Sequence, residues 1–525
     1  MKSKDIQVLG IKPGHDGAIA FIKEDVLQFS FEGEKDNGYR YSEATYETLL
    51  KSLHACNRIP DVIATGGWSQ GIDPKGAKIE AGYCGTDVFN IEYRSFVGSN
   101  AIHFSSSHER SHILCAYGLS PFEQGRPCYV LIWEGYIGAI YYVDDRLQIK
   151  KIKDVLFGPG VRYAFLYAVA DPSFDLQRKG IRLGDAGKLM ALSGYAENAT
   201  RCPDAVKLVN SILKQDIDPG SLKKMDFQHS KYFNCGVTSV DFAGLAKLLS
   251  ERIFEIFHNE FLRIIQEKHP LLIAGGCGLN CEWNSKWIDS GLFSDVFIPP
   301  CANDSGSAIG TAIDAMHHFT GRAKVSWSVY CGEEPLEDTS SYGAFEASKY
   351  DAYKVAELLE EGRVLGWVKG RYEIGPRSLG NRAILASPSD PGMLIRLNKV
   401  KNRESFRPIA PVCLEEDLGK YFFPATPSPY MLEFRKVISD AIPAVTHVDR
   451  SARPQSVSMA QNPEIHALLL AFKQLTGLSV LCNTSLNFNG RGFINRLSDM
   501  LKFSLNHKLD GFVFNDRLFV MKELK

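Results

Sequence analysis

No stretch of this chain stays apolar long enough to cross a bilayer; the longest, around residues 129–143, is broken by Glu134. The opening residues, Met1-Lys2-Ser3-Lys4-Asp5-Ile6, lead into no long apolar segment, so no secretory signal is expected and a cytoplasmic location is. Paired cysteines are missing as well. The twelve cysteines stand singly without a C-x-x-C pair, and the nearest two, Cys277 and Cys281, flank Gly278-Leu279-Asn280. That distribution excludes a disulfide framework and a structural zinc site and reads as reduced thiols. Neither sign of charge is in excess: a net charge of −1 argues against a general binder of nucleic acid or of membrane surfaces. No low-complexity tract occurs. What is present is ordinary globular composition, 45% hydrophobic and 23% charged, in 525 residues, enough for two or three domains with proper cores.

Two stretches repeat one pattern. Gly17-Ala18-Ile19-Ala20-Phe21-Ile22 recurs as Gly138-Ala139-Ile140-Tyr141-Tyr142-Val143, and an acidic turn and a Leu-Gln step follow each, at Leu27-Gln28 and Leu147-Gln148. Before each lies an apolar run and a tight turn: Val8-Leu9-Gly10-Ile11 before Pro13-Gly14-His15-Asp16-Gly17, and Val130-Leu131-Ile132-Trp133 before Glu134-Gly135. A buried strand, a polar turn and a returning strand, present twice, predict a duplicated α/β core holding a phosphate-bearing ligand. Chance likeness of two hairpins is the alternative.

Further along, residues 241–267 carry apolar side chains at helical spacing (Phe242, Leu245, Leu248, Leu249, Ile253, Phe254, Phe257). Short apolar strands at Leu271-Leu272-Ile273-Ala274 and Val296-Phe297-Ile298 run into Gly275-Gly276 and Pro299-Pro300. A polar stretch at 332–348 without periodicity is the best linker, which places a domain boundary near residue 345. Beyond it the character changes: residues 369–407 hold nine Lys or Arg against three acids.

Four constellations can do chemistry. His108-Glu109-Arg110-Ser111-His112 follows Ser105-Ser106-Ser107, so a Ser-capped helix would set His108 and His112 one turn apart on one face. Such a pair can share a metal, with Asp304 of Asn303-Asp304-Ser305-Gly306 adding a carboxylate; this N/O set suits iron, manganese or magnesium. A surface helix that happens to carry two histidines is the alternative. Gly275-Gly276-Cys277-Gly278-Leu279-Asn280, after a buried strand, can cradle phosphate or be a plain strand–helix turn. In Arg371-Tyr372-Glu373-Ile374-Gly375-Pro376-Arg377 and Lys401-Asn402-Arg403-Glu404-Ser405-Phe406-Arg407, rigid turns meet closely spaced cations, which fits a small polyanion. Nucleic acid fits less well, since no aromatic platforms are interleaved. Finally, Asp449-Arg450-Ser451-Ala452-Arg453 and Asn483-Thr484-Ser485 offer donors around a ligand, or ordinary polar turns.

Together these motifs resemble the O-carbamoyltransferases of antibiotic biosynthesis, the family of the nodulation carbamoyltransferase NodU and of 3-hydroxymethylcephem carbamoyltransferase. The resemblance spans nearly the whole chain: Gly14-His15-Asp16-Gly17-Ala18, the His108/His112 pair, Gly275-Gly276 through Asn280, Asp304-Ser305-Gly306, Gly375-Pro376-Arg377-Ser378-Leu379-Gly380-Asn381-Arg382, Arg403-Glu404-Ser405-Phe406-Arg407-Pro408 and Asn483-Thr484-Ser485. It implies an actin-like ATPase-fold carbamoyl-transfer domain over 1–345 and a YrdC-like α/β domain over 346–525. The second would make carbamoyladenylate from carbamoyl phosphate and Mg-ATP; the first would pass the carbamoyl group to a hydroxyl of a small molecule.

The resemblance also implies roles for single residues. His108, His112 and Asp304 match the family's metal ligands, for iron or manganese. His15 would activate the acceptor hydroxyl or position the carbamoyl group. Arg40, Gly275, Gly276 and Asn280 fall to the adenylate. Arg377, Lys401, Arg407, Arg453, Asn483 and Ser485 fall to carbamoyl phosphate and ATP. One position departs from the pattern: Glu134 stands where the family usually has Asp as a further ligand, a longer reach for the same job. The Trp133-Glu134-Gly135 form is nearest the cephem branch, which makes a 3-hydroxymethylcephem the first acceptor to consider. No nucleic-acid or membrane partner is expected, and a homodimer is left open. Two rival readings remain: a tRNA threonylcarbamoyl-type modifying enzyme, disfavoured by the near-zero charge, and a non-catalytic nucleotide-binding sensor, which leaves the arginine-dense region unexplained.

Overall fold

The computed structural model describes residues 6–67, 81–87, 89–96, 98–178 and 180–522. They fall in two compact units. One comprises Met1–Leu119, Asp304–Thr446 and Arg450–Lys525, and the other Ser120–Asn303 with His447–Asp449. The architecture is mixed α/β.

The first unit opens with strands β1 (Gln7–Lys12), β2 (Ala18–Lys23), β3 (Val26–Glu32), β4 (Val62–Gly66), β5 (Phe89–Phe96) and β6 (Ser99–Ser106), in the spatial order β3-β2-β1-β4-β6-β5. The second unit holds β7 (Cys128–Trp133), β8 (Gly138–Val143), β9 (Ile149–Asp154), β10 (Leu271–Ala274) and β11 (Val296–Phe297), in the order β11-β10-β7-β8-β9. In both sheets the first strand pairs antiparallel with its hairpin partner and parallel with the strand that returns after a crossover. The repeated Gly-Ala-Ile motif is thus the start of the second strand of each meander. Each meander shifts register once against its third strand, at Phe21/Ile22 and at Ile140/Tyr141. Central strands buried on both faces need apolar residues without alternation, which is what Val8-Leu9 and Val130-Leu131-Ile132 provide. The periodic stretch after residue 240 forms the helix Val240–Ile264, capped by Ser239, whose side chain accepts from the Phe242 amide.

Two helices of the first unit, one carrying His108 and His112 and the other following the Asp304 turn, are packed backbone to backbone. They are His108–Leu119 and Ser307–Thr320. A Cβ on Gly310 would lie 1.7 Å from the Ser111 carbonyl oxygen, and one on Gly10 of β1 would lie 2.2 Å from the Ala308 oxygen. Only glycine permits that approach. Across the contact, the Ser111 and Thr311 hydroxyls are 2.7 Å apart, and Arg110 reaches Asp314 at 2.8 and 2.5 Å.

The same unit contains an eight-stranded mixed sheet, Phe345–Lys349, Arg517–Met521, Gly511–Phe514, Leu365–Val368, Arg382–Ala386, Val480–Ser485, Ala410–Leu414 and Gln455–Val457 in spatial order. Neighbouring residues alternate faces: Val368, Ile384 and Phe512 enter one core, and Trp367, Leu385 and Val513 the other. The polar stretch 332–348 is tied down at several points. The Gly332 amide donates to the Tyr372 carbonyl at 2.9 Å, Leu336 donates to Asn495 at 2.8 Å, and Phe345–Lys349 is an edge strand. No disulfide joins cysteines among the described residues. Among the described residues no helix is long and apolar enough to cross a membrane.

Because Gly310 sets the distance between the two helices, Gly310→Val is expected to destabilise the chain by about 1–3 kcal/mol or more, the range of overpacking in a close-packed core. Urea unfolding checks this; a midpoint equal to wild type would contradict the packing described.

Candidate active site

Ser107 ends the run before the helix His108–Leu119, and its hydroxyl accepts from the Arg110 amide at 3.1 Å, so the expected serine cap is in place. The helix is not a surface one: His108 and His112 are 0% and 1% exposed. Their Nε2 atoms lie 3.1 Å apart, with the rings edge to face. Asp304, in the turn before the second helix, brings Oδ1 to 3.7 Å from His108 Nε2 and 3.4 Å from His112 Nε2. Tyr83 stacks on the His108 ring at 4.5 Å.

Two imidazole nitrogens and a carboxylate oxygen converging within 4.8 Å fit a divalent ion that takes mixed nitrogen and oxygen donors, such as iron or manganese. Lys12, fully buried at the end of β1, faces the other carboxylate oxygen: its Nζ is 3.3 Å from Asp304 Oδ2 and donates to the His15 carbonyl at 3.0 Å. Burial works to raise the Asp304 carboxyl, but the charges of His108 and Lys12 and the hydrogen bond from His112 overcome it and hold the group well below the usual carboxylate range. Lys12 therefore joins the metal-type trio to the turn that carries His15. His15 itself is half-exposed, stacks on Tyr41 at 5.4 Å and sets Nε2 3.5 Å from Asp16 Oδ2.

The basic residues form a second site in the same unit. Lys401, 7% exposed, spends its ammonium hydrogens on the Ser485 carbonyl at 2.5 Å, the Asn487 carbonyl at 2.9 Å and Asn487 Oδ1 at 2.7 Å. Burial, then the neighbouring charges of Arg403, Arg407 and Arg40, hold its pKa well below the ordinary lysine range. Burial, then Arg407 and Arg453, bring Arg403 down to about 9, with Glu404 opposing. Arg403 is anchored through Nε to Asn398 Oδ1 at 2.6 Å, and Asn398 Nδ2 donates to the Arg407 carbonyl at 2.9 Å. Asn483 lies on the same strand as Ser485 and donates to the Ser378 carbonyl at 3.2 Å, beside Arg377, and to Gln455 Oε1 at 3.1 Å. So Arg40, Lys401, Arg407 and Arg453 are gathered into one cation cluster, with Asn483 and Ser485 on its supporting strand.

The remaining expected residues lie in the second unit. Glu134 is buried at the turn after β7: its amide donates to the Ile137 carbonyl at 2.8 Å, and its own carbonyl accepts from Gly160 at 3.0 Å. Gly275 has a φ of 90°, and a Cβ there would lie 2.6 Å from the Trp133 oxygen, so the Gly275-Gly276 turn needs glycine to pass that strand. Asn280 caps the helix Cys281–Asp289, Oδ1 accepting from the Glu282 and Trp283 amides at 3.1 and 3.3 Å. Lys12, Tyr83 and Arg403 were not singled out from sequence. A lysine closing an otherwise apolar buried strand is the one local signal that could have found Lys12.

The carbamoyltransferase N-terminus family model matches residues 98–313, and the carbamoyltransferase C-terminus model matches 356–521. The chain is 46% identical to 3'-hydroxymethylcephem-O-carbamoyltransferase of Streptomyces clavuligerus, over 97% of this chain and 98% of that one. It is 33% identical to nodulation protein U of Rhizobium tropici, over 93% of this chain and 92% of that one. A solved structure, component A of (R)-2-hydroxyglutaryl-CoA dehydratase from Acidaminococcus fermentans, aligns with 58% of this chain and 96% of that one at 13% identity and a TM-score of 0.33, too distant to bear on function.

Two outcomes are expected. Manganese(II) added to metal-free protein should raise its melting temperature, worth about 2.7 kcal/mol at a hundredfold excess over Kd, and Asp304→Ala should abolish the rise. Pyrophosphate should also stabilise the protein, less so as ionic strength climbs. Scanning calorimetry reads both; a manganese response unchanged in Asp304→Ala would contradict the first, and none with pyrophosphate the second.

Proposed function

We propose that this chain, a member of the carbamoyltransferase family, makes carbamoyladenylate from carbamoyl phosphate and ATP and then carbamoylates a hydroxyl of a small natural product, with a 3-hydroxymethylcephem as first candidate acceptor. In this reading 346–525 is a YrdC-like adenylate-forming domain, and 1–345 is an actin-like ATPase-fold transfer domain. The observation that carries it is the pairing of two sites in one unit: a partly buried cation cluster able to take polyphosphate, and a histidine–histidine–aspartate trio able to take a divalent ion. The 46% identity to a cephem carbamoyltransferase over almost the whole length supports the acceptor.

Atom balance orders the first half-reaction. Carbamoyl phosphate and water yield carbamate and phosphate; a carbamate oxygen then attacks the α-phosphorus of ATP, and pyrophosphate leaves. Arg377, Arg403, Arg407, Arg453 and Arg40 would bind the phosphate oxygens, with forks that match them bidentately. Lys401, its ammonium already donated to carbonyls, shapes the floor, and Asn483 and Ser485 hold the strand beneath.

In the second half-reaction the acceptor oxygen attacks the carbamoyl carbon and AMP leaves. His15 would take the alcohol proton on Nδ1, its Nε2–H turned toward Asp16, a contribution typically worth about 10²–10⁴ in rate. His108, His112 and Asp304 would hold the divalent ion, with Glu134 as a proposed fourth ligand. That ion supplies Lewis-acid stabilisation of charge on the departing phosphate. Lys12 fixes the Asp304 carboxylate against the His15 turn.

The division of labour is tested directly. His108→Ala with His112→Ala should abolish carbamoyl transfer to the cephem while pyrophosphate release, dependent on carbamoyl phosphate, continues. Arg377→Ala should lose that release by at least about 10²-fold. A folded histidine double variant that also stops adenylation, or an Arg377 variant that adenylates at the wild-type rate, would contradict the assignment.

A further inference from the structure

Glu32 and Lys35 form an ion pair closed off from water, 3.0 Å between Oε1 and Nζ, with Lys35 3% exposed and Glu32 3% exposed. A buried pair is poor value for stability alone, since desolvating two charges offsets most of their attraction. Its hydrogen bonds show what it holds. Lys35 Nζ donates to Glu32 Oε1, to the Glu373 carbonyl at 2.5 Å and to the Gly375 carbonyl at 2.8 Å. The Gly375 amide in turn donates to Glu32 Oε1 at 2.7 Å. The pair therefore grips Gly375 by both its amide and its carbonyl, and Pro376-Arg377 follow at once. Gly375 sits at a φ of 81°, a conformation that favours glycine. The Tyr372 hydroxyl accepts from the Glu32 amide at 3.3 Å, and the Tyr372 and Phe493 rings flank the ammonium.

The short helix Gly33–Asn37 and its exit continue the connection in two directions. Toward the cation cluster, the Gly38 carbonyl accepts from Gly492 at 3.1 Å, and a Cβ on Gly492 would lie 1.9 Å from the Glu34 oxygen. Asn487, at the start of that loop, is the residue that receives Lys401 and donates Nδ2 to the Arg491 carbonyl at 2.9 Å. Toward the transfer site, the Asp16 amide donates to Tyr41 at 3.4 Å and Gly17 to Ser42 at 2.8 Å, while the Tyr41 ring stacks on His15.

We infer that Glu32 and Lys35 are the positioning pair of the adenylate-forming site: they set the turn that carries Arg377, and the segment they anchor, residues 32–42, registers that turn against the one that carries His15. Neither residue touches the substrate. The inference rests on the function proposed above and adds to it the element that joins the two half-sites.

The test uses the full chain with ATP binding by calorimetry and pyrophosphate release dependent on carbamoyl phosphate, both run well below each variant's melting temperature. Lys35→Met, which keeps the bulk and removes the donors, should weaken ATP binding and raise KM about tenfold, the equivalent of one charge-assisted hydrogen bond. Glu32→Gln keeps an acceptor for the Gly375 amide and should cost only about threefold. A merely structural pair would lower the melting temperature and leave Kd and KM of the folded protein unchanged; that result overturns the inference. If Lys35→Met does not fold, Glu32→Gln decides on the same terms, since wild-type binding in it also overturns the inference. Arg377→Ala runs in parallel: a loss there beside unchanged pair variants sinks only this inference, and no loss in Arg377→Ala sinks the underlying assignment.

Discussion

Mutual repulsion among Lys401, Arg403, Arg407, Arg453 and Arg40 is the constraint on which the rest of this structure turns. Burial and the neighbouring cations act together against the charge on Lys401 and Arg403. Glu404, 3.9 Å from Arg407, and Glu34, 3.8 Å from Arg40, are fewer counter-charges than the five cations. The fold tolerates the cluster because Lys401 is tied to three acceptors and Arg403 to Asn398, so the cations are fixed before any ligand arrives. A site already ordered and short of negative charge is what a polyphosphate needs: binding relieves repulsion and orders little.

The trio of His108, His112 and Asp304 inverts that logic. There the protein gathers donors for a cation; His108, then Lys12 and His112, keep Asp304 ionised against its burial, and Lys12 faces its second oxygen. Adenylation needs a pocket for negative charge. Transfer needs a positive centre beside a half-exposed histidine. The two demands cannot share one set of side chains, and in the scheme proposed here the chain separates them while linking them through the Glu32–Ser42 segment. The first strand of the second sheet and its Glu134 turn repeat the topology of β1 and the His15 turn, so Glu134 and His15 both stand in the turn between the first two strands of their sheets.

Much of this was legible in the sequence where the signal is local. The Ser107 cap and the i, i+4 histidines needed only helix periodicity, and the meanders showed in the repeated Gly-Ala-Ile motif. The density of Lys and Arg after residue 369 marked the cation cluster without any contact being known. What stayed hidden depends on long-range packing. Lys12 looks like the polar end of a strand until Asp304 is folded against it. Arg403 is one cation among several until burial singles it out. Glu32 and Lys35 carry no local signal, because their partners at Glu373 and Gly375 lie more than three hundred residues away. The close approach at Gly310 is equally silent, since a glycine in a helix carries no mark of the backbone it faces.

The central claim is that the cation cluster activates a one-carbon unit on AMP without help from the acceptor. Isotope exchange between labelled pyrophosphate and ATP, in the absence of any alcohol, measures it most directly. The account predicts that label enters ATP only when carbamoyl phosphate is supplied. No exchange, or exchange at the same rate without carbamoyl phosphate, would contradict it.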